Sequence, residues 1–250
     1  MKKWLLFLSI SNSLSGMGLL RCMPTHNFLT LRVMLATGLL DPNKPDRHGD
    51  TMLHHAVLHE DEKYLKIVVS HSNDIDLRDR CGWAAIHYAA LKGNDTFIRL
   101  LAKKGAAINA PTNPTSSITA LHLAASGLHL DATRELLDAG ANPLATNIHN
   151  QTPLHEACLT QGPTNSAHKL QIASLLIERA MAKGNTIDSY VLAQDRKGKA
   201  APDYLDESEQ EEFITTCNQL QFKQMLKKNK MNTTTYLRNR ELGFIANHRP

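Results

Sequence analysis

The chain has 250 residues, 42% hydrophobic and 21% charged, with a formal net charge of +4. Such a composition fits a globular chain, and a charge this mild is no argument for a nucleic-acid binder. The four cysteines, Cys22, Cys81, Cys158 and Cys217, are too scattered for a disulfide framework and permit a reducing compartment.

At the N-terminus, Met1-Lys2-Lys3 precedes an apolar run from Trp4 to Ile10, and Ser13-Leu14-Ser15 offers a small-x-small site. This is the layout of a secretory signal, although Ser11-Asn12-Ser13 interrupts it early. Seven residues of apolar character, six of them apolar, cannot span a bilayer, which takes about 20. Residues 1–15 serve equally as an extra capping segment. We place the chain in the cytoplasm, with export through residues 1–15 as the alternative.

The body of the chain is periodic. Leu53-His54, Ile86-His87, Leu121-His122 and Leu154-His155 recur with histidine spacings of 33, 35 and 33 residues. A period in the low thirties denotes stacked supersecondary units. Asp46-Arg47-His48-Gly49-Asp50 aligns with Asp79-Arg80-Cys81-Gly82-Trp83. After each histidine comes a second apolar cluster: Ile67-Val68-Val69, Leu100-Leu101-Ala102, Leu136-Leu137 and Leu175-Leu176-Ile177. Gly105 and Gly140 then close their units, so each reads as turn, short helix, loop, second helix and glycine stop.

The units are drawn at 46–78, 79–113, 114–146 and 147–194. A degenerate one over 12–45 precedes them, with Leu19 at the leucine position and Val33-Met34-Leu35 as its second-helix cluster. A capping unit at 195–230 follows, with Asp203 where the histidine would stand. The acidic run from Asp206 to Glu212 and the lysines Lys227, Lys228 and Lys230 suit the two ends of a helix dipole. Residues 231–250 read as a flexible tail. The fourth full unit carries insertions at 161–167 and 181–194, which map to loops and often to a working face.

Thr152 to Ala157 spell Thr-Pro-Leu-His-Glu-Ala; Thr51 to Ala56 and Thr119 to Ala124 differ from that signature at Met52 and Ala120, and Ala84 to Ala89 also lose the threonine. On these residues the chain resembles the ankyrin-repeat family over roughly residues 12–226. The resemblance implies an all-α solenoid of about five to six helix-turn-helix units, degenerate at its ends. It also implies a protein–protein interaction module, a scaffold or adaptor, and gives the repeated histidine a hydrogen-bonding role at the turn. The alternative is an exported ankyrin protein or bacterial effector acting on host proteins.

No site chemistry competes with that expectation. Equivalent histidines in stacked helices stand roughly 8–10 Å apart, whereas zinc ligands share one ion at ~2 Å. His54, His87, His122 and His155 therefore cannot converge. His55 and His59 have metal-ligand spacing but lack the glutamate of the metalloprotease pattern, and they read as exposed residues. Cys158 lies near His155, but both belong to the packing pattern. No phosphate loop or nucleophile elbow is present, so we expect no enzyme, cofactor or metal.

By position, the resemblance assigns partner contact to turn tips and first-helix ends. The tips are Arg47, His48, Asp50, Arg80, Cys81, Trp83, Ser116, Ile118, Ile148, His149, Gln151, Arg196, Lys197 and Lys199. The helix ends contribute Leu58, His59, Leu91, Lys92, Ser126, Leu159 and Thr160. Trp83 is expected to stand clear of the stack as an anchor. The stripe is net basic, which favours an acidic protein segment; the chain is expected to be a monomer that binds no nucleic acid.

Overall fold

The computed structural model describes residues 28–160 and 166–228. The signal-like segment 1–15, Leu19, residues 161–165 of the first insertion and the residues 231–250 expected to be a tail lie outside the described residues. Eleven α-helices and one 3-10 turn fall within them: α1 (Phe28–Ala36), α2 (Met52–Leu58), α3 (Glu62–His71), α4 (Ala85–Leu91), α5 (Asp95–Lys104), α6 (Ala120–Ser126), α7 (Leu130–Asp138), α8 (Pro153–Leu159), α9 (Ser166–Ala182), α10 (Ile187–Val191), the 3-10 turn (Ala201–Tyr204) and α11 (Glu207–Lys228). No strand occurs among the described residues, only two isolated bridges, Pro111–Thr119 and Gln194–Ala200. This is the all-α solenoid that the resemblance implies.

The helices form two rows. Helices α2, α4, α6 and α8 form the inner row, stacking in order and ending on the 3-10 turn, while α1, α3, α5, α7, α9 and α11 form the outer row behind them. Seven-residue helices such as α2 are too short to persist alone in water, so packing holds them. Their centres are alanines: Ala56, Ala89, Ala124 and Ala157 are fully buried. Side chains that small let the rows approach closely, and Leu53, Ile86, Leu121 and Leu154 fill the seams.

The second helices are started by local capping chemistry. Asp61 accepts the Tyr64 amide and Asn94 accepts the Phe97 amide. Gly105 ends α5 in the left-handed region at φ 99°. In the degenerate first unit, Leu31 and Leu35 of α1 are buried, whereas Val33 is exposed. The second insertion is more ordered than a surface loop: α9 runs on to Ala182, and α10 buries Tyr190, whose hydroxyl donates to the Pro143 carbonyl at 3.0 Å. Its spacing was legible as an insertion, but nothing in it signalled that Tyr190 fills a core.

Candidate functional site

The repeated histidines work as two-armed clips. Each Nδ1 accepts the backbone N–H of the helix N-cap: Thr51 onto His54 (3.1 Å), Ala84 onto His87 (3.0 Å), Thr119 onto His122 (3.2 Å) and Thr152 onto His155 (3.2 Å). With Nδ1 accepting, the proton sits on Nε2, which donates forward. His54 reaches the Trp83 carbonyl, His87 Ala110, His122 Gln151 and His155 Ala193, all at 2.9–3.0 Å. Burial holds the His122 ring neutral, lowering it from 6.5 to about 4, and also lowers His87 and His155. These rings are fully engaged within the fold. In the last unit Asp203 takes over the capping arm, accepting the Ala200 amide at 2.8 Å.

The clips fix the turns in front of the inner row, and the turns link to one another. Backbone bonds run from the Arg80 amide to His48 (3.3 Å), from Ile148 to Ser116 (3.1 Å) and from Arg196 to His149 (2.9 Å). Side chains add Asn113 to the Cys81 carbonyl and Asn150 to that of Gln194. Glycine is needed at the tightest approaches. Gly49 has φ 87°, and a Cβ there would lie 2.8 Å from the Arg80 nitrogen. Gly82, at φ 83°, would press on the Thr112 carbonyl at 2.7 Å. The tips thus form a continuous hydrogen-bonded edge.

Along that edge Arg47, His48, Arg80, Cys81, His149, Arg196, Lys197 and Lys199 are exposed, and Asp50, Ile148, Ser116 and Ile118 are half-buried. Two expectations are corrected. Trp83 is half-buried; its ring lies 5.0 Å from Tyr88 and 6.2 Å from His87, because the tip folds back onto α4. Gln151 is buried, holding Asn147 at one end and donating to Asp195 of the next unit at 3.2 Å.

At the inner helix ends Leu58, His59, Leu91, Lys92 and Ser126 are exposed, while Leu159 and Thr160 are half-buried. Lys92 is not free, since it pairs with Glu60 at 2.7 Å. Thr160 donates to the Ser126 carbonyl.

The charge pattern differs between the two sides. On the outer row three basic residues find acidic partners in neighbouring helices: Arg99 with Glu135, Arg179 with Asp138, and Lys223 with Glu178. Among the described residues no ion pair involves Arg47, Arg80, Arg196 or Lys197. Lys199 lies 5.1 Å above the Tyr204 ring. Sequence reasoning missed Arg78, whose guanidinium donates to the Gly82, Pro111 and Thr112 carbonyls and ties one turn to the next. Only its place one residue ahead of the aligned Asp79 marks it.

Two rows of stacked helices with a hydrogen-bonded edge of turns define a helical-repeat solenoid, a class that presents extended faces to its partners. The chain belongs to the ankyrin-repeat family: residues 26–112 and 109–188 match the family described as "Ankyrin repeats (3 copies)". The family is a general protein–protein interaction module, and its members are in general non-enzymatic.

Mouse Rabankyrin-5 is 31% identical over 155 residues, covering 58% of this chain and 13% of that protein. Bovine "Ankyrin repeat and SOCS box protein 3" is 36% identical over 93 residues, 37% of this chain and 18% of the relative. The chain therefore spans a small part of these relatives. A crystal structure of EF0377, an ankyrin repeat protein, aligns with a TM-score of 0.66 at 22% identity, over 77% of this chain and 92% of that one. That likeness concerns the fold alone.

Proposed function

We propose that this chain is an adaptor that binds an acidic segment of another protein along its turn tips and inner helix ends. One observation carries the reading: Arg47, Arg80, Arg196 and Lys197 line the tips as exposed cations with no ion pair among the described residues, whereas Arg99, Arg179 and Lys223 of the outer row pair across helices. A row of unpaired cations on a pre-formed edge steers an acidic partner and sets its register. Trp83 contributes apolar area beside Arg80, although its half-burial makes it a shared packing and contact residue. Cytoplasmic residence and a monomeric state belong to the same reading.

Photo-crosslinkers placed at Arg47, at Arg80 and at the outer-row Lys103 test it in cell extract. We expect the two tip positions to capture one common protein rich in Asp and Glu, and Lys103 to capture none of it. Capture from Lys103 alone would overturn the assignment of the face. A native chain beginning near residue 16 in mass spectrometry would replace cytoplasmic residence with export.

A further inference from the structure

Four units share a frame of three positions: a turn residue and the residues four and nine places after it. The sets are Asp46, Asp50 and His55; Asp79, Trp83 and Tyr88; Asn147, Gln151 and Glu156; and Asp195, Lys199 and Tyr204. In every set one oxygen of the first residue accepts the backbone amides two and four places on. For Asp46 Oδ1 these bonds are 2.7 Å from His48 and 2.9 Å from Asp50, and Asp79, Asn147 and Asp195 do the same. The second side-chain atom then meets the ninth residue. Tyr88 donates to Asp79 Oδ2 at 2.6 Å, Tyr204 to Asp195 Oδ2 at 2.6 Å, and Asn147 to Glu156 at 2.9 Å. Those three frames are closed.

The first frame closes only loosely. His55 Nε2 lies 3.4 Å from Asp46 Oδ2, an ion-pair contact longer than the usual N–H···O bond, and the atom is occluded from solvent without a well-aligned hydrogen-bond partner. Only this set carries a second carboxylate, Asp50, at the fourth position. One ligand atom from each of the three residues falls within 4.8 Å of the others. A tetrahedral ion with ~2.0–2.1 Å bonds sets neighbouring ligand atoms about 3.3–3.4 Å apart, which is the His55–Asp46 separation. The half-exposed Asp50 side chain supplies the remaining closure. The two amides on Asp46 Oδ1 hold its other oxygen toward the site, as a supporting shell does for a metal ligand.

We propose that Asp46, Asp50 and His55 form a binding site for a divalent transition ion of the zinc class, which does in the first turn what a tyrosine hydroxyl does in the second and last. His59 stacks on His55 with centroids 6.3 Å apart but stands outside the set. Of the two histidines expected to be exposed, His59 is, whereas His55 is half-buried.

Titration of the full chain with Co²⁺, followed by visible absorption, tests the site. We expect tetrahedral bands at one ion per chain that Zn²⁺ displaces. His55→Tyr restores the pairing used at Tyr88 and should keep the fold by circular dichroism while weakening Co²⁺ binding at least tenfold. Asp50→Asn, on a half-exposed residue, should weaken it comparably, and His59→Ala should leave it unchanged. The proposal is overturned if wild type gives no bands. It is equally overturned if bands persist in folded His55→Tyr or in Asp50→Asn, since another of the 13 histidines would then hold the ion.

Discussion

A neutral imidazole accepts at one ring nitrogen and donates from the other across a rigid ring without carrying charge, and this chain buries four at equivalent places. Protonating Nδ1 would remove the acceptor of the N-cap amide, and burial opposes it. His122 is lowered from 6.5 to about 4, so its neutral ring contributes full stability above pH 6.5. The unfolded chain binds more protons between pH 6.5 and 4, so that contribution falls through this window. We expect the melting temperature to drop across it, and His122→Asn, which can still accept the Thr119 amide, to flatten part of the slope. A slope unchanged in His122→Asn would assign the titration to other groups. The histidine spacing and its turn role were visible in the sequence. Its forward reach was not, because Trp83, Ala110, Gln151 and Ala193 contribute only carbonyls, and any residue supplies one.

Individual helices carry little stability alone, so losses within one helix should be large and shared. Leu121 and Leu154 are 1% and 0% exposed, and truncating either to alanine should cost about 2–5 kcal/mol. Thermal melting should show the loss spread along the array, since repeats couple chiefly to neighbours. An unchanged melt in either variant would contradict the packing described. The cap depends on a different kind of contact. Lys169 of α9 and Glu209 of α11 are 5% and 8% exposed and bonded at 2.8 and 3.1 Å. Glu209→Gln leaves a buried ammonium without its counter-charge and should destabilise by about 3–5 kcal/mol, with Lys169→Met/Glu209→Leu recovering much of it. Chemical denaturation measures both; a single variant as stable as wild type would show the pair to be idle. The acidic start of α11 was plain in the sequence as dipole chemistry. That Glu209 turns inward to a lysine 40 residues earlier was not, because patterning along one helix says nothing about which charge faces a neighbour.

Across the whole molecule, the solenoid was legible because apolar positions repeat in phase over four units, and a period survives substitutions at single sites such as Met52 or Ala84. The interface was less legible, since tip residues answer to a partner and to the next turn at once: Gln151 and Trp83 looked outward by position and are drawn inward by Asp195 and Tyr88. If the tips bind an acidic segment, Arg47→Glu/Arg80→Glu should slow association and reduce its salt dependence more than it alters dissociation. Stopped-flow or surface-plasmon kinetics on the captured partner decide this, and unchanged association would set the tips aside. The histidine arms give the array a direction as well. Every ring is rooted at its own helix N-cap and grasps backbone further along the chain, in the next turn or just ahead of it, as slates on a roof each pin the next course. A lost ring therefore loosens the chain downstream of it, so His122 and His155 variants should expose the backbone at Gln151 and Ala193 while the units before them stay shut. Asp203, with a capping arm and no second ring nitrogen, is where that overlap stops and the long helix α11 takes over.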